Sequence, residues 1–143
     1  MKVYCCSGWF SPAQEDARQS ILAAIREVGF EVYSPKDDFL YEVGVTRPQE
    51  VFDENIKHIV SSNLVIASTV EKDMGALFEC GYANAVRTPI IYFWPGNGKG
   101  KFNLMLSQTA IAVVHSKKEL IKVLKNIKKL GVILTMPYTG DIE

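Results

Sequence analysis

Two carboxylates, Asp73 and Glu79, stand six residues apart with Gly75 between them, in the run DMGALFECGYA. Small residues surround the second: Gly75, Ala76, Gly81 and Ala83 leave room for close packing and for a ligand beside it. Elsewhere the groups able to meet a ligand are Tyr4, Ser7, Trp9 and Phe10 near the start, Asp37 and Asp38, and Asn103. Carboxylates with aromatic partners suit one chemistry well, the cleavage of a glycosidic bond. One carboxylate can trap or stabilise the electron-poor sugar carbon, and aromatic rings can stack on a planar base. The competing reading of Glu79 is a surface glutamate between two buried neighbours, Phe78 and Cys80.

Other chemistries lack their residues. His58 falls mid-helix and His115 follows a strand, so no Ser-His-Asp set and no pair of histidines at metal-ligand spacing can be assembled. Cys5, Cys6 and Cys80 make neither a disulfide framework nor a zinc site, and read as reduced, buried thiols. The glycine-rich stretch Pro95–Lys101 lacks the spacing and the Ser or Thr of a phosphate loop. No cofactor and no metal are expected. The formal net charge is zero, which argues against a surface for polymeric DNA or RNA. The apolar runs are shorter than the roughly 20 residues a membrane span needs. No basic-then-apolar signal segment opens the chain, so a cytoplasmic protein is expected.

The elements that must position these residues follow from periodicity. Strands are expected at Lys2–Cys6, Phe30–Tyr33, Asn63–Ala67, Pro89–Trp94 and Ala110–Val114. Helices are expected from Ser11 to about Val28, from Pro48 to about Ser61, from Gly75 to Val86 and from Ser116 to Gly131. Phe102–Ser107 is a short helix or turn. Ser11 and Gln14, and Ser116 and Glu119, have capping-box spacing. The helix from Pro48 should turn Ile56, Ile59 and Val60 inward. Ser34–Arg47 reads as a long loop, and the tail from Val132 should dock on something. With 143 residues, 48% of them apolar, the chain makes one domain, 1–143. Five alternations of strand and helix imply a doubly wound α/β fold, a five-stranded parallel sheet with helices on both faces. Ligands in that class sit beyond the carboxyl ends of the strands, where strand order reverses.

The segment from Asp73 to Ala83 resembles the D-x-G-x-x-x-E-x-G-x-A pattern of the nucleoside 2-deoxyribosyltransferase family. Tyr4-Cys-Cys-Ser7-Gly8-Trp9-Phe10 resembles that family's first strand and loop, and Phe102-Asn103-Leu104-Met105 the segment lent by a neighbouring subunit. The likeness runs from about Lys2 to Met105 and implies a flavodoxin-like fold. It implies that Glu79 attacks C1′ of a 2′-deoxynucleoside to give a covalent deoxyribosyl ester, that Tyr4 orients it, and that Asp73 binds the sugar 5′-hydroxyl. Trp9, Phe10 and Met105 would line the base and sugar pocket, with Ser7, Gly8 and Gly75 around them. The partners implied are 2′-deoxynucleosides, free nucleobases and further copies of the chain. The oligomer would be a dimer or hexamer in which Asn103 and Met105 act in trans.

In that family, relatives that hydrolyse deoxynucleoside monophosphates usually have a small hydroxyl residue where Asp73 stands. A carboxylate repels a 5′-phosphate, so free nucleosides are expected. Two positions depart from the family pattern. Asn55 stands where an aspartate usually assists base departure, and Phe39 lies nearest the place of a base-reading glutamine. Two alternatives share these motifs: a 2′-deoxynucleoside N-glycosidase, and a nucleoside-binding protein without turnover.

Overall fold

Alternation along the first strand decides which side of the sheet holds the carboxylate site. The computed structural model, which describes residues 1–143, places β1 at Lys2–Cys6. Val3 and Cys5 join one buried cluster, and Tyr4 and Cys6 join another on the opposite face, as the period of two requires. The remaining strands are β2 (Glu31–Tyr33), β3 (Leu64–Ser68), β4 (Ile90–Phe93) and β5 (Ala110–Val114). All pair in parallel in the order β2-β1-β3-β4-β5. This is the doubly wound, flavodoxin-like α/β sheet. Its strand order reverses at β1 and β3, where Tyr4 lies opposite Val65 and Cys6 opposite Ala67.

The first face is covered by α1 (Pro12–Val28), through Ile21, Ala24, Ile25 and Val28, and by the final helix, through Leu120, Leu124 and Ile127. Ser11 caps α1, accepting from Gln14 N, and Gly29 ends it at φ 79°. This is a left-handed backbone that glycine adopts freely. The Gln14 side chain accepts from Phe10 N rather than closing a capping box on Ser11.

The second face carries α3 (Pro48–Ser61) and α4 (Met74–Ala85), which bury Ile59, Ala76, Cys80 and Ala83 against Tyr4, Val65 and Tyr92. Two expectations change in this region. The segment after β2 forms a four-residue helix, α2 (Pro35–Asp38), because Pro35 suits the first helical position after Ser34. Val60 is exposed rather than inward. Ile59 takes the inward position, and Val60 is one residue, about 100°, further round α3. The short helix after Phe102 is α5 (Leu104–Thr109), and α6 (Lys117–Leu130) follows β5. From α6, Lys128 Nζ donates to Val28 O at the end of α1, a structural role. The tail folds back on its own chain, where Met136 N donates to Ile111 O and Ile142 bridges Phe102. No helix is long and apolar enough to cross a membrane.

A buried arginine ties the β2–α2 connection to α1. Arg18 is 3% exposed and donates twice to Glu15, and to Ser34 Oγ and Asp37. The guanidinium, through these hydrogen bonds, pulls the Glu15 carboxyl down from 4.5 to about 2. A carboxyl whose folded value is depressed stabilises the fold above its unfolded value and loses that contribution as pH falls. Wild type should therefore lose stability to urea progressively from pH 4.5 towards 2, and Glu15→Gln should flatten this part of the profile. Parallel profiles for the two proteins would exclude Glu15 as the cause.

Candidate active site

The loops after β1 and β3 meet at the reversal of strand order. Tyr4 is fully buried, and its hydroxyl donates to Glu79 Oε1 at 2.8 Å. Two observations explain the contact. Tyr4 points to the α4 side of the sheet, and Glu79 lies on the turn of α4 that carries buried Ala76 and Cys80. Cys6, two residues along the same strand face, donates its thiol to Ala76 O at 3.3 Å. Cys80 Sγ lies 3.9 Å from Cys6 Sγ.

Burial raises the Glu79 pKa above its ordinary value; the hydrogen bonds from Tyr4 and Cys6 oppose that rise and the charge of Asp73 adds to it. The Tyr4 phenol is pushed far up, first by burial and then by the charge of Glu79. Tyr4 thus remains a proton-bearing donor, and Glu79 is a desolvated carboxylate gripped from below. That combination favours a reactive group over an inert surface one.

Above Glu79 opens a cavity of about 340 Å³ lined by Ser7, Trp9, Phe10, Pro35, Asn55, Asp73, Gly75, Ala76 and Glu79. Asp73 caps α4, with Oδ1 accepting from Ala76 N at 2.8 Å. It follows two non-glycine residues in left-handed backbone, Glu71 (φ 56°) and Lys72 (φ 51°). Such conformations cost energy and gather at functional sites. Here they turn the chain from β3 into the cap. Gly8 lets the loop pass close to two side chains: a Cβ there would stand 2.7 Å from Gln14 Oε1 and 3.0 Å from Asp73 Cγ, and would displace Gln14 from its bond with Phe10 N. Asn55 reaches the cavity from α3, its Oδ1 accepting from the Tyr33 hydroxyl at 3.2 Å. The Tyr33 ring is stacked on His58, with centroids 3.6 Å apart, and on Tyr4 at 5.6 Å.

Glu79, Asp73, Tyr4, Ser7, Gly8, Trp9, Phe10, Asn55 and Gly75 are therefore drawn together. Phe39 is not: it follows α2 and packs partly buried against the cluster of Tyr4 and Tyr33, away from the cavity lining. Asn103 and Met105 are not either. Asn103 caps α5 and lines a second hollow with Thr69, Lys72, Trp94 and Glu143, while Met105 is 70% exposed. Sequence reasoning passed over Cys6, Pro35 and Tyr33. Cys6 was readable, since it shares a strand face with Tyr4. His58 and His115 stay outside the cavity, the latter with Nδ1 3.0 Å from Trp94 O. No three His, Cys, Asp or Glu side chains gather into a metal-binding cluster.

A parallel sheet with a desolvated carboxylate and an aromatic-lined cavity at its reversal point defines a doubly wound α/β protein with its crevice at the topological switch point. The chain belongs to the nucleoside 2-deoxyribosyltransferase family, whose model matches residues 3–121. No curated protein sequence matches it significantly.

Among solved structures it is similar to the 2-deoxyribosyltransferase of Bacillus psychrosaccharolyticus, with a TM-score of 0.80 at 22% identity, covering 97% of this chain and 100% of that one. A 2-desoxiribosyltransferase from Leishmania mexicana aligns at 0.51 and 23%, covering 64% and 63%. A CMP N-glycosidase from Clostridium botulinum aligns at 0.59 and 17%, covering 92% and 100%. At these identities the structural likeness establishes the fold. The family supplies the coarse activity, with nucleosides and nucleobases as its substrates.

Proposed function

We propose that this protein moves the 2-deoxyribosyl group between nucleobases through an ester on Glu79. The observation that carries this reading is the Tyr4–Glu79 hydrogen bond of 2.8 Å at the floor of an aromatic-walled cavity. A Glu79 oxygen attacks C1′ as the C1′–N bond breaks, with the electron pair leaving on the base. A second base then attacks C1′ and restores the carboxylate. Tyr4 holds the carboxylate in line, Asp73 takes the sugar 5′-hydroxyl, and Trp9 and Phe10 flank the base. Because Asp73 would repel a 5′-phosphate, the substrates are free nucleosides in the cytoplasm, not their monophosphates.

Incubating a 2′-deoxynucleoside with a different free base and separating the products tests this directly. A new deoxynucleoside supports transfer. Free deoxyribose as the sole sugar product, with or without acceptor, would mean an N-glycosidase. Comparable rates on a deoxynucleoside and its 5′-monophosphate would contradict the role of Asp73.

The working form is an oligomer in which Asn103 and Met105 complete the cavity of a neighbouring copy. Around that cavity α4 and the β1 loop expose Met74 (83%), Phe78 and Phe10 (75%). They form an apolar rim suited to a second chain. Mixing Glu79→Ala with Asn103→Ala, each nearly inactive alone, should restore part of the activity by forming mixed oligomers. No recovery after subunit exchange would place Asn103 outside the partner's site.

A further inference from the structure

The proton inventory of the cavity bears on which bases can leave. Its lining holds two acids, Asp73 and Glu79. Glu79 must be ionised to attack, and Asp73 is committed as an acceptor to the Ala76 amide at the start of α4. The Ser7 hydroxyl donates to Gly8 O. The remaining polar groups are the Trp9 indole N–H and the Asn55 amide, which donate hydrogen bonds but do not give up a proton at neutral pH.

The orientation of that amide is set from outside the cavity. Tyr33 is buried, clamped between His58 and Tyr4, and its hydroxyl donates to Asn55 Oδ1. With Oδ1 engaged, Asn55 offers Nδ2, which donates to no group of this chain, to a ligand. The cavity therefore presents a hydrogen-bond donor and no proton to the base.

We propose that the site selects 2′-deoxynucleosides of the dioxo-pyrimidines, uracil and thymine, over deoxycytidine, with Asn55 reading a ring carbonyl and Tyr33 as its positioning residue. This rests on the base-exchange reading of Glu79. As a Glu79 oxygen bonds to C1′, the C1′–N1 pair of electrons passes to N1 and spreads onto O2 and O4. Asn55 Nδ2 donates to a carbonyl oxygen whose negative charge grows as the bond breaks, so the contact strengthens in the transition state. The anion takes a proton from water after release. Cytosine has one carbonyl and an electron-releasing amino group, so its N1 anion is poorer and its departure calls for prior protonation at N3. No group in the cavity is placed to do that.

The test compares kcat/KM for deoxyuridine, thymidine and deoxycytidine with one fixed acceptor base. It uses wild type, Asn55→Asp and Tyr33→Phe, each checked for folding by circular dichroism. Wild type is expected to favour the two dioxo substrates by about tenfold or more. Asn55→Asp should bring the ratio towards one by raising kcat on deoxycytidine, since a carboxyl there can carry a proton. Tyr33→Phe, whose ring still stacks, should lower kcat/KM on the dioxo substrates and leave deoxycytidine little changed. Equal rates on all three substrates in wild type, or an unchanged ratio in both variants, would overturn the preference. A lack of turnover of every deoxynucleoside would instead overturn the base-exchange reading itself, on which the preference depends.

Discussion

Replacing Glu79 by glutamine will lower base exchange by a factor of about 10,000 or more and, at neutral pH, will raise the thermal midpoint of the protein. The first effect follows from the chemistry, because an amide oxygen cannot form the ester and regenerate as a leaving carboxylate. The second follows from burial. The folded pKa of Glu79 lies above its ordinary value, chiefly through desolvation. The folded state therefore holds this proton more tightly than the unfolded chain does. The protonated side chain favours folding at low pH, and that contribution is lost as pH rises through the folded value. At neutral pH the ionised carboxylate is a net cost to stability, and the neutral isostere removes it while still accepting from Tyr4. The midpoint gain should shrink on acidification, when wild type also carries a proton there. Substantial exchange by the glutamine variant would exclude Glu79 as nucleophile. A lower midpoint at neutral pH would show that the charge is better solvated than its place beneath the cavity implies.

Tyr4→Phe has the next largest expected effect. The hydroxyl is fully buried and gives a bond of 2.8 Å to the carboxylate, strengthened by the charge it meets. Its loss removes the larger of the two contacts that favour the ionised form of Glu79. The Glu79 pKa rises further, so the acid limb of the kcat profile should move to higher pH. Exchange at neutral pH should fall roughly 100-fold, because the carboxylate also loses its alignment. The phenyl ring keeps the packing on Tyr33, but the buried carboxylate loses a charge-assisted bond, so stability in urea should fall at neutral pH and recover on acidification. The pair of measurements separates the roles: an unmoved acid limb with a lower rate would make Tyr4 an aligner alone, and no change in either would remove it from the mechanism.

The sheet was legible because buried parallel strands write themselves as apolar runs such as LVIAS and IIYF, and helix starts carry Ser-Pro and Ser-x-x-Glu signals. The two carboxylates were legible for a different reason: Asp73 and Glu79 lie on one short segment, so their proximity needs no knowledge of the fold. The bond from Tyr33 to Asn55 was hidden because it depends on strand order. β1 lies between β2 and β3, and nothing in the order along the chain says that a residue of β2 will meet α3 while stacking on a residue of β1. Phe39 was misplaced for a local reason. Pro35 starts a turn of helix that swings the chain, and Phe39 with it, towards the core. Asn103 lines a different hollow from Glu79 within its own chain, a separation that follows from tertiary packing and leaves no mark on the local sequence. Val60 shows the limit of periodicity: beside a deeply buried Ile59, an apolar residue one position on can still face water.

The two tryptophans of the chain stand at separate addresses. Trp9 borders the cavity of Glu79, close to Phe10, and Trp94 packs on Phe102 and His115 in the hollow that contains Asn103. The protein therefore carries two natural optical reporters. A base stacked beside Trp9 would change the emission of that indole, while contact with another copy at the Asn103 hollow would change that of Trp94. Single-tryptophan versions would let ligand occupancy and subunit assembly be followed as independent fluorescence signals, without a dye and without turnover.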